Sequence, residues 1–572
     1  MATASPTFHP LHTTSSPLPT DDDASLSPEC RKHAESLNVH STFLTPATSV
    51  PDLDNPLRSI PRPRYPIRVF HGQPCCSSVA AQRKVMKWTH EHCHFWPDPA
   101  WLEPPSTNHM KDVAWPYLND LGADHDSISI EFLAEGGFNR VFTIHTIDAT
   151  TRRNVDYIFR VALPVDPYYK TESDVATTEI VRHFTDIPVP TIYAFDSSTN
   201  NAIGLEWMLM EKIEGIKLDE VWTRMDYNAK LRLTKLTALW ASQLAHISTN
   251  KIGSIYMRET ASTLDFHVGR NVHCLLTQEN RLQYDVFRGP FLSLQDYYSS
   301  ILTVTAQDVQ NLTQSFHSGT FRFESTSSKF RGTFLDQDRM YYLDGYPEWT
   351  DDQWHAEQAK ELEDVTEAVK ALRNNLPALC ASAPESSRPL VTFLAHQDVS
   401  GGNIIVDKAF SPVGLLDWEA IRMLPALGLT NPPEFIQSED EVFEPELDRE
   451  AYEERWRRRG ISEENKQRFR AGNEDSFQRR MENFTGTQLR RFYRAELKRL
   501  GSQLARDVWE NDSPVDRELL QRIEGISDDV EGHLEWIRNT LGMYDESDSD
   551  DYDSEDQEES GASDDKEYAV VY

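Results

Sequence analysis

The first clear alternation of apolar and polar residues along the chain begins at Ser127. The segment SISIEFLAEGGFNRVFTI places β-branched and aromatic residues on both sides of Gly136 and Gly137. This pattern predicts two strands joined by a glycine turn, and YIFRVALPV, Tyr157–Val165, predicts a third strand. Together the three segments indicate an antiparallel sheet at the start of the ordered domain.

A helix is predicted next, because the apolar residues change to helical spacing. Val175, Ile180 and Phe184 fall on one side of the segment DVATTEIVRHF. The following IPVPTIYAFD closes the helix, since its prolines cannot continue it. The segment AIGLEWMLMEKIEG, residues 202–215, then indicates a pair of strands and, at Glu214-Gly215, a linker.

Beyond the linker the pattern becomes mainly helical. A strong amphipathic helix is predicted where apolar residues recur at Leu233, Leu236, Trp240, Leu244 and Ile247. Further helices are predicted over Leu294–Leu302 and Glu361–Leu376, and the Arg- and Glu-rich region 439–499 is more typical of solvated helices than of a binding patch. We therefore expect an α+β protein of two lobes, an N-terminal antiparallel sheet lobe with one helix and a larger, mainly helical C-terminal lobe.

Both ends of the chain are poor in apolar residues, which predicts disorder there. The predicted organisation is a disordered tail at 1–75, an N-terminal extension at 76–126, an N-lobe at 127–214, a C-lobe at 215–435, a charged helical part at 436–543 and an acidic disordered tail at 544–572.

Composition narrows the possible functions. The chain has 572 residues, 39% of them hydrophobic, so it can bury a sizeable core. Its formal net charge of −35 argues against a nucleic-acid binder that neutralises phosphates. No run of eighteen apolar residues occurs, so no transmembrane helix is expected.

The cysteines and the N-terminus bear on the compartment. Six cysteines without a CxxC pair point to a reducing environment. A signal peptide is not expected, and the acids at Asp21–Asp23 do not suit a transit peptide. We expect a cytoplasmic protein, with a mitochondrial location left open. A zinc site at His90–His94 with Cys75 and Cys76 is a weaker hypothesis, because the spacing matches no standard set of ligands.

One segment places polar groups between apolar strands. LAHQDVSGGNIIVD contains His396, Asp398 and Asn403, and Asp417 follows in LLDWE after a predicted hairpin through Ile404 to Val406. Phosphoryl transfer needs such a set: a carboxylate to accept the proton of the attacking hydroxyl, and an amide and a carboxylate to hold Mg²⁺ on nucleotide phosphates. A polar turn with unrelated acids is the alternative. The downstream LLDWE and the upstream glycine hairpin favour the first interpretation.

These residues resemble the aminoglycoside phosphotransferase and choline kinase group within the protein-kinase-like fold, over roughly Ser127 to Arg422. HQDVSGGN is similar to the catalytic loop of that family, and GLLDWE is similar to its metal-binding segment. The segments FNRVF, ATTEIVRHFTDIPVPTIYAFD and LMEKIEG look more narrowly like fungal members whose substrates are mostly undefined. The resemblance implies that Asp398 is the catalytic base, that Asn403 and Asp417 bind metal, and that His396 supports the loop.

The same resemblance implies an ATP and Mg²⁺ site and a small-molecule acceptor, with no nucleic acid or membrane partner and with the oligomeric state left open. The implied nucleotide-binding residues are Gly136, Gly137, Phe138, Asn139, Arg160, Glu179, Met210 and Glu211. The last two sit where a kinase hinge offers backbone groups to adenine, although a simple core strand is the alternative.

Two features depart from the family pattern. The glycine turn has only two glycines, and Arg160 stands where a phosphate-binding lysine is usual, with Glu179 as its expected ion-pair partner. Arginine can bind phosphate as a fork, but its reach and geometry differ from those of lysine. The intact set of Asp398, Asn403 and Asp417 favours a small-molecule kinase, and the departures favour a pseudokinase or nucleotide-binding scaffold.

Overall fold

The computed structural model describes most of the chain between residues 57 and 541. The described ranges are 57–72, 74, 79–89, 97–318, 351–383, 389–426, 432–447, 449–459, 461–502, 514–524 and 530–541. The predicted acidic tail, the first 56 residues and the cysteines and histidines of the zinc hypothesis lie outside these ranges.

The strands of the described chain are between two and nine residues long. They are β1 (Arg58–Pro61), β2 (Ile67–Arg68), β3 (Met86–Thr89), β4 (Asp98–Trp101), β5 (Ser129–Glu135), β6 (Asn139–Ile147), β7 (Asn154–Ala162), β8 (Ile192–Asp196), β9 (Glu206–Glu211), β10 (Ile216–Lys217), β11 (Ser248–Thr249), β12 (Ser254–Glu259), β13 (Thr263–Gly269), β14 (Thr392–Phe393), β15 (Ile404–Val406) and β16 (Pro412–Leu415).

Most of the long helices follow the linker. The described α-helices are α1 (Val79–Gln82), α2 (Thr107–Asp120), α3 (Tyr169–Phe184), α4 (Leu218–Val221), α5 (Tyr227–Leu244), α6 (Cys274–Thr277), α7 (Leu294–His317), α8 (Asp351–Ser382), α9 (Arg449–Arg458), α10 (Glu463–Arg499), α11 (Pro514–Glu524) and α12 (Val530–Leu541).

A six-stranded sheet in the order β2-β8-β9-β7-β6-β5 forms the N-lobe. Its neighbours are antiparallel except for the β2 and β8 pair. As predicted, β5 and β6 flank the glycine turn and β7 follows them. The strand pair predicted within residues 202–215 is a single strand of six residues, β9, and the two-residue β10 begins after the linker, at Ile216. In this register Arg160 on β7 lies opposite Val141 on β6 and Met208 on β9.

Helices pack on both faces of this sheet. On one face α3 buries Val175 and Ile180 in the same cluster as Met208. On the other face α2 buries its apolar side in a cluster with Phe159. Since side chains alternate along a strand, Phe159 points toward α2 and its neighbour Arg160 points toward α3. The sequence predicted one helix in this lobe, and α2, from the predicted extension, is a second.

Two strands lie within the predicted N-terminal tail, so its boundary at residue 75 is wrong. The antiparallel partner of β1 is β13, and the parallel partner of β2 is β8. Arg68 on β2 makes an ion pair of 2.9 Å with Glu172 on α3. These strands are stabilised by pairing with sheet edges formed much later in the chain, so they carry no apolar periodicity of their own.

The C-lobe is mainly helical, as predicted, with a hairpin in addition. The predicted helices at 233–247, 294–302 and 361–376 lie largely or wholly within α5, α7 and α8. Strands β12 and β13 form the hairpin, which together with β1 makes a three-stranded sheet. A large apolar core is shared by α7, α8, α11 and α12.

The charged region after residue 436 is helical, but it is not solvated throughout. The last third of α10 buries an apolar stripe in a cluster shared with α5, formed by Leu231, Ala238, Leu489, Phe492, Tyr493 and Leu497. This part of the region therefore belongs to the C-lobe core.

The chain has the bilobal α+β fold that the sequence predicted. The linker after β9 leads into β10, which pairs with β15 of the C-lobe. In the described part of the chain, no helix combines the length and the apolar character needed to cross a membrane.

Candidate active site

The segment HQDVSGGN lies in the loop between β14 and β15. The start of the loop is held in place, because the amide of Leu394, the first residue after β14, donates to the Ile247 carbonyl at 3.0 Å. At its far end β15 pairs antiparallel with β16, as the predicted hairpin requires. This hairpin returns the chain, so that the Leu416 amide donates to the Asn403 carbonyl at 2.8 Å. Local folding thereby places Asp417 next to the loop that carries Asp398 and Asn403.

Asn403 holds Asp398 in position. Its side-chain nitrogen donates to a carboxylate oxygen of Asp398 at 2.8 Å and to the Asp398 carbonyl at 3.1 Å. Because an amide nitrogen carries two donor hydrogens, these bonds use the nitrogen and leave the amide oxygen of Asn403 as an acceptor.

His396 connects the loop to the segment that carries Asp417. Its Nε2 donates to the Leu416 carbonyl at 2.7 Å, and its Nδ1 accepts from the Asp398 amide at 3.2 Å. Burial lowers the pKa of His396, and a ring nitrogen that accepts a backbone hydrogen bond belongs to the neutral form. The ring packs edge-on against Trp418 with centroids 4.6 Å apart. His396 is therefore placed to support the loop rather than to react.

Asp417 has the features of a metal ligand. Its φ of 65° is unusual for a residue other than glycine, and such strain collects at functional sites. Within the described residues its carboxylate makes no hydrogen bond, although solvent can reach the side chain. The protein packed around it and the charge of Glu419 raise its pKa to about 8. The Asp417 carboxylate and the Asn403 amide oxygen are hard oxygen ligands of the kind that Mg²⁺ prefers, so the residues present fit this ion.

Two further acids lie beside the loop that carries Asp398 and Asn403. The Asp219 amide donates to the Gly401 carbonyl at 3.2 Å, and the Glu434 amide donates to the Val399 carbonyl at 3.0 Å. Burial, and then the charges of Asp398 and Asp219, raise the pKa of Glu434. The sequence did not reveal this pair, because the two residues lie far from the loop along the chain.

A buried ionic network connects the sheet, α3 and the segment after Asp417. An Arg160 Nη2 donates to Asp174 Oδ2 at 2.6 Å, and the Lys170 Nζ lies 2.9 Å from the same oxygen. Lys170 also donates to Glu419 Oε2 at 2.5 Å. The Ala420 amide donates to the other Asp174 oxygen at 3.1 Å. Asp174 is thereby bonded to both lobes.

The predicted ion pair between Arg160 and Glu179 is wrong. Glu179 makes an ion pair of 3.0 Å with Arg182, on the same helix, and Arg160 pairs with Asp174 instead. The expected place of Glu179 in the nucleotide site rested on that pair. Burial raises the pKa of Glu179 to about 7 despite Arg182.

The glycine turn has free space beside its two glycines, and hydrogen bonds of Asn139 hold its end in place. A Cβ atom added to Gly136 or Gly137 would meet no atom within 4 Å, so neither residue is required by close packing. The Gly136 amide donates to the Asn139 carbonyl at 2.9 Å, and the Asn139 side-chain amide donates to Glu419 Oε2. Phe138 packs against the buried Leu163 and Val165.

The predicted hinge residues lie at the end of β9. Met210 is opposite Ile158 on β7 and Ile192 on β8, and the Glu211 amide donates to the Thr191 carbonyl at 2.8 Å. The Glu211 amide is therefore already used by a hydrogen bond to the chain beside β8 and is not available to adenine.

Sequence reasoning assigned no role to Lys170, Asp174 or Glu419 of the buried network. Two signals were present: Lys170 and Asp174 have the i,i+4 spacing of a helical ion pair, and Glu419 stands two residues after Asp417. The predicted helix began at Asp174, whereas α3 begins at Tyr169. Lys170 was therefore not recognised as helical.

Relatives with curated names align over part of their length. A subtelomeric hrmA-associated cluster protein of Aspergillus fumigatus is 36% identical over 92 residues, which are 16% of this chain and 17% of the relative. The mitochondrial protein "altered inheritance of mitochondria protein 9" of Kluyveromyces lactis is 22% identical over 355 residues, 57% of this chain and 53% of the relative. The chain thus spans between about a sixth and about half of these relatives.

Among solved structures, the gentamicin complex of the aminoglycoside phosphotransferase APH(2")-IIa is 11% identical in sequence. The match covers 78% of this chain and 98% of the chain in that complex, with a TM-score of 0.31. The ADP-bound aminoglycoside phosphotransferase APH(2'')-Ib is 12% identical; the match covers 75% of this chain and 96% of that protein's chain, with a TM-score of 0.32. The model of the phosphotransferase enzyme family matches residues 129–427, which is more than half of the chain and includes both the glycine turn and the Asp398 loop. The chain belongs to the phosphotransferase enzyme family.

Proposed function

We propose that this protein transfers the γ-phosphoryl group of ATP to a hydroxyl group of a small molecule. The observation that carries the proposal is the bond from the Asn403 amide to the Asp398 carboxylate, made within a loop that is bonded to the segment of Asp417. Phosphoryl transfer depends mainly on positioning and on charge stabilisation. The oriented Asp398 supports a role in the first, and the Asn403 and Asp417 oxygens support a role in the second through a bound cation.

Each residue of the set has a distinct role in this proposal. Asp398, oriented by Asn403, accepts the proton of the acceptor hydroxyl. The Asn403 oxygen and the Asp417 carboxylate hold Mg²⁺, which when bound neutralises charge on the phosphates. The glycine turn, Gly136 to Asn139, covers the phosphates, and the chain at Met210 and Glu211 borders the adenine.

The proposal is tested by incubating the full chain with Mg·ATP and pools of hydroxyl-bearing metabolites and measuring ADP formation. We expect ADP formation that requires Mg²⁺ and one acceptor pool, and that falls by about 100-fold or more in the Asp398→Asn variant. ADP formation that is equal in the variant would show that the activity does not use this site.

A nucleotide-binding scaffold without transfer is the second candidate. It is favoured by the protein contacts of groups that were expected to touch nucleotide: Arg160 binds Asp174, and the Asn139 side chain binds Glu419. Saturable Mg·ATP binding with no turnover for any acceptor would support it over a transferase.

The compartment is a separate proposal. The relatives named "altered inheritance of mitochondria protein 9", from Kluyveromyces lactis and three further yeasts, all carry the word mitochondrial in their names. We therefore propose a mitochondrial location in place of the predicted cytoplasmic one. Fractionation of cells that express the tagged chain tests this, and a purely cytosolic signal would contradict it.

A further inference from the structure

We propose that Lys170, carried by the first turn of α3, is the lysine that contacts the phosphates of the bound nucleotide, with Asp174 as its ion-pair partner. The inference rests on the proposed function, because it assumes that the site binds a nucleotide. It moves the phosphate-binding lysine from the strand that holds Arg160 to the following helix.

The position of the ammonium group is the first support. The Lys170 side chain is 5% exposed, and its Nζ lies 2.9 Å from Asp174 Oδ2 and 2.5 Å from Glu419 Oε2. Burial lowers the pKa of Lys170, but these two carboxylates raise it above its usual value, so the group stays charged. A lysine that is buried and held between two acids has a fixed ammonium position rather than a mobile surface one.

The second support is that Lys170 lies between the glycine turn and the segment that follows Asp417. Its Nζ lies 5.8 Å from the centre of the Phe138 ring, in the glycine turn. It also contacts Glu419, two residues after the proposed metal ligand Asp417. Nucleotide phosphates in kinases lie between the glycine turn and the metal ligands. A group that lies next to both the glycine turn and the segment after Asp417 therefore lies beside the phosphates.

Arg160 differs from Lys170 in how closely it approaches Glu419. Its Nη2 is bonded to Asp174 at 2.6 Å, and its Nη1 lies 3.9 Å from Glu419, compared with 2.5 Å for Lys170. Arg160 thus holds Asp174 from the sheet side, and Asp174 in turn holds Lys170. We infer that Arg160 acts as a positioning residue.

Glu419 makes the inference testable in two directions. Its Oε2 accepts from both Lys170 and Asn139, so a phosphate oxygen that approaches these donors competes with a carboxylate. Removing the lysine charge should therefore weaken phosphate binding, and removing the competing carboxylate charge should strengthen it.

The experiment measures the affinities of the full-length protein for Mg·ATP, Mg·ADP and adenosine by titration calorimetry. In Lys170→Met, ATP and ADP should bind about ten-fold or more weakly, the loss expected for one charge-assisted hydrogen bond, while adenosine changes by less than about two-fold. Lys170→Arg should recover part of the loss. Lys235→Met is the matched control, since Lys235 is also buried and lies on α5; the exposed fraction of the whole residue is 8% for Lys235 and 4% for Lys170.

Glu419→Gln is the second variant, and it keeps the inference testable if Lys170→Met does not fold. We expect ATP to bind about three-fold or more tightly, with adenosine unchanged. An equal loss for ATP and adenosine in Lys170→Met, or weaker ATP binding in Glu419→Gln, would overturn the inference and leave the proposed function standing. If the parent protein binds no nucleotide, the proposed function itself fails, and this inference fails with it.

Discussion

The side-chain amide of Asn403 donates to a carboxylate oxygen of Asp398 across 2.8 Å, within a loop closed by the bond from Leu416 to the Asn403 carbonyl. Asp398 is therefore held in one orientation while one amide oxygen of Asn403 remains for a cation. This single contact joins the residue proposed for proton transfer to a residue proposed for metal binding.

Asp398→Asn should reduce phosphoryl transfer by about 100-fold or more, the range of general base catalysis. The nucleotide affinity should change by less than about three-fold, because the carboxylate acts on the acceptor hydroxyl and not on ATP. Steady-state turnover and calorimetric titration with Mg·ATP check the two parts. Unchanged turnover would remove Asp398 from the mechanism.

Asn403→Ala and Asp417→Ala should each lose the extra thermal stabilisation that ATP gives in the presence of Mg²⁺, because each variant removes one oxygen ligand from the ion. The measurement is the melting temperature with ATP, with and without Mg²⁺. His396→Asn serves as a comparison, since His396 contacts the loop but is not a proposed ligand. If both alanine variants are stabilised as much as the parent, the metal assignment is wrong.

Arg160→Met should lower the free energy of unfolding by about 3 kcal/mol, the lower end for breaking a buried ion pair, because Asp174 keeps Lys170 as a partner. Its effect on ATP affinity should be smaller than that of Lys170→Met. Urea unfolding and the same nucleotide titrations provide the comparison. A loss of ATP affinity larger than that of the lysine variant would return the phosphate contact to Arg160.

Glu206→Gln should change how stability depends on pH. Burial raises the pKa of Glu206, whose carboxylate accepts from the Tyr168 amide at 2.6 Å, to about 8 from an ordinary 4.5. Between these two pH values the folded state keeps a proton that the unfolded state has lost, so stability falls as pH rises through this window. The variant cannot titrate there, and its stability relative to the parent should improve by more than about 1 kcal/mol from pH 5 to pH 8.

Denaturant unfolding of the parent and the Glu206→Gln variant at pH 5, 6.5 and 8 checks this prediction. A difference in stability that stays the same at all three values would show that Glu206 does not hold the proton.

Arg68→Met should destabilise the protein by about 3 to 5 kcal/mol, because it leaves Glu172 buried without its cation. Arg64→Met is the matched control: its ion pair with Asp120 is 66% and 46% exposed, and such pairs contribute about 0 to 1 kcal/mol. Thermal unfolding compares the two variants. Equal effects would mean that the strand at Ile67–Arg68 adds little to the sheet.

The local contacts of the site could be predicted from the sequence. His396, Asp398, Asn403 and Asp417 lie within one loop and one hairpin, so the apolar strands on either side are enough to bring them together. The sheet around the glycine turn and the amphipathic helices followed from periodicity for the same reason, since each pattern depends only on near neighbours.

Which acid pairs with Arg160 depends on how the side chains are distributed around the axis of α3. Glu179 follows Asp174 by five residues, which turns its side chain by about 140° around the axis, away from the face that carries Lys170 and Asp174. The predicted helix began too late to show that Lys170 and Asp174 share that face.

The sequence by itself determined the family, the two-lobed order of sheet and helices, and the polar set of the loop at 396–403, because these depend on short segments. Only the tertiary structure decided that Lys170 meets Glu419, 249 residues later in the chain, and that residues 58–61 and 67–68 pair with distant strands. Such contacts depend on where whole elements pack, and no local spacing encodes that.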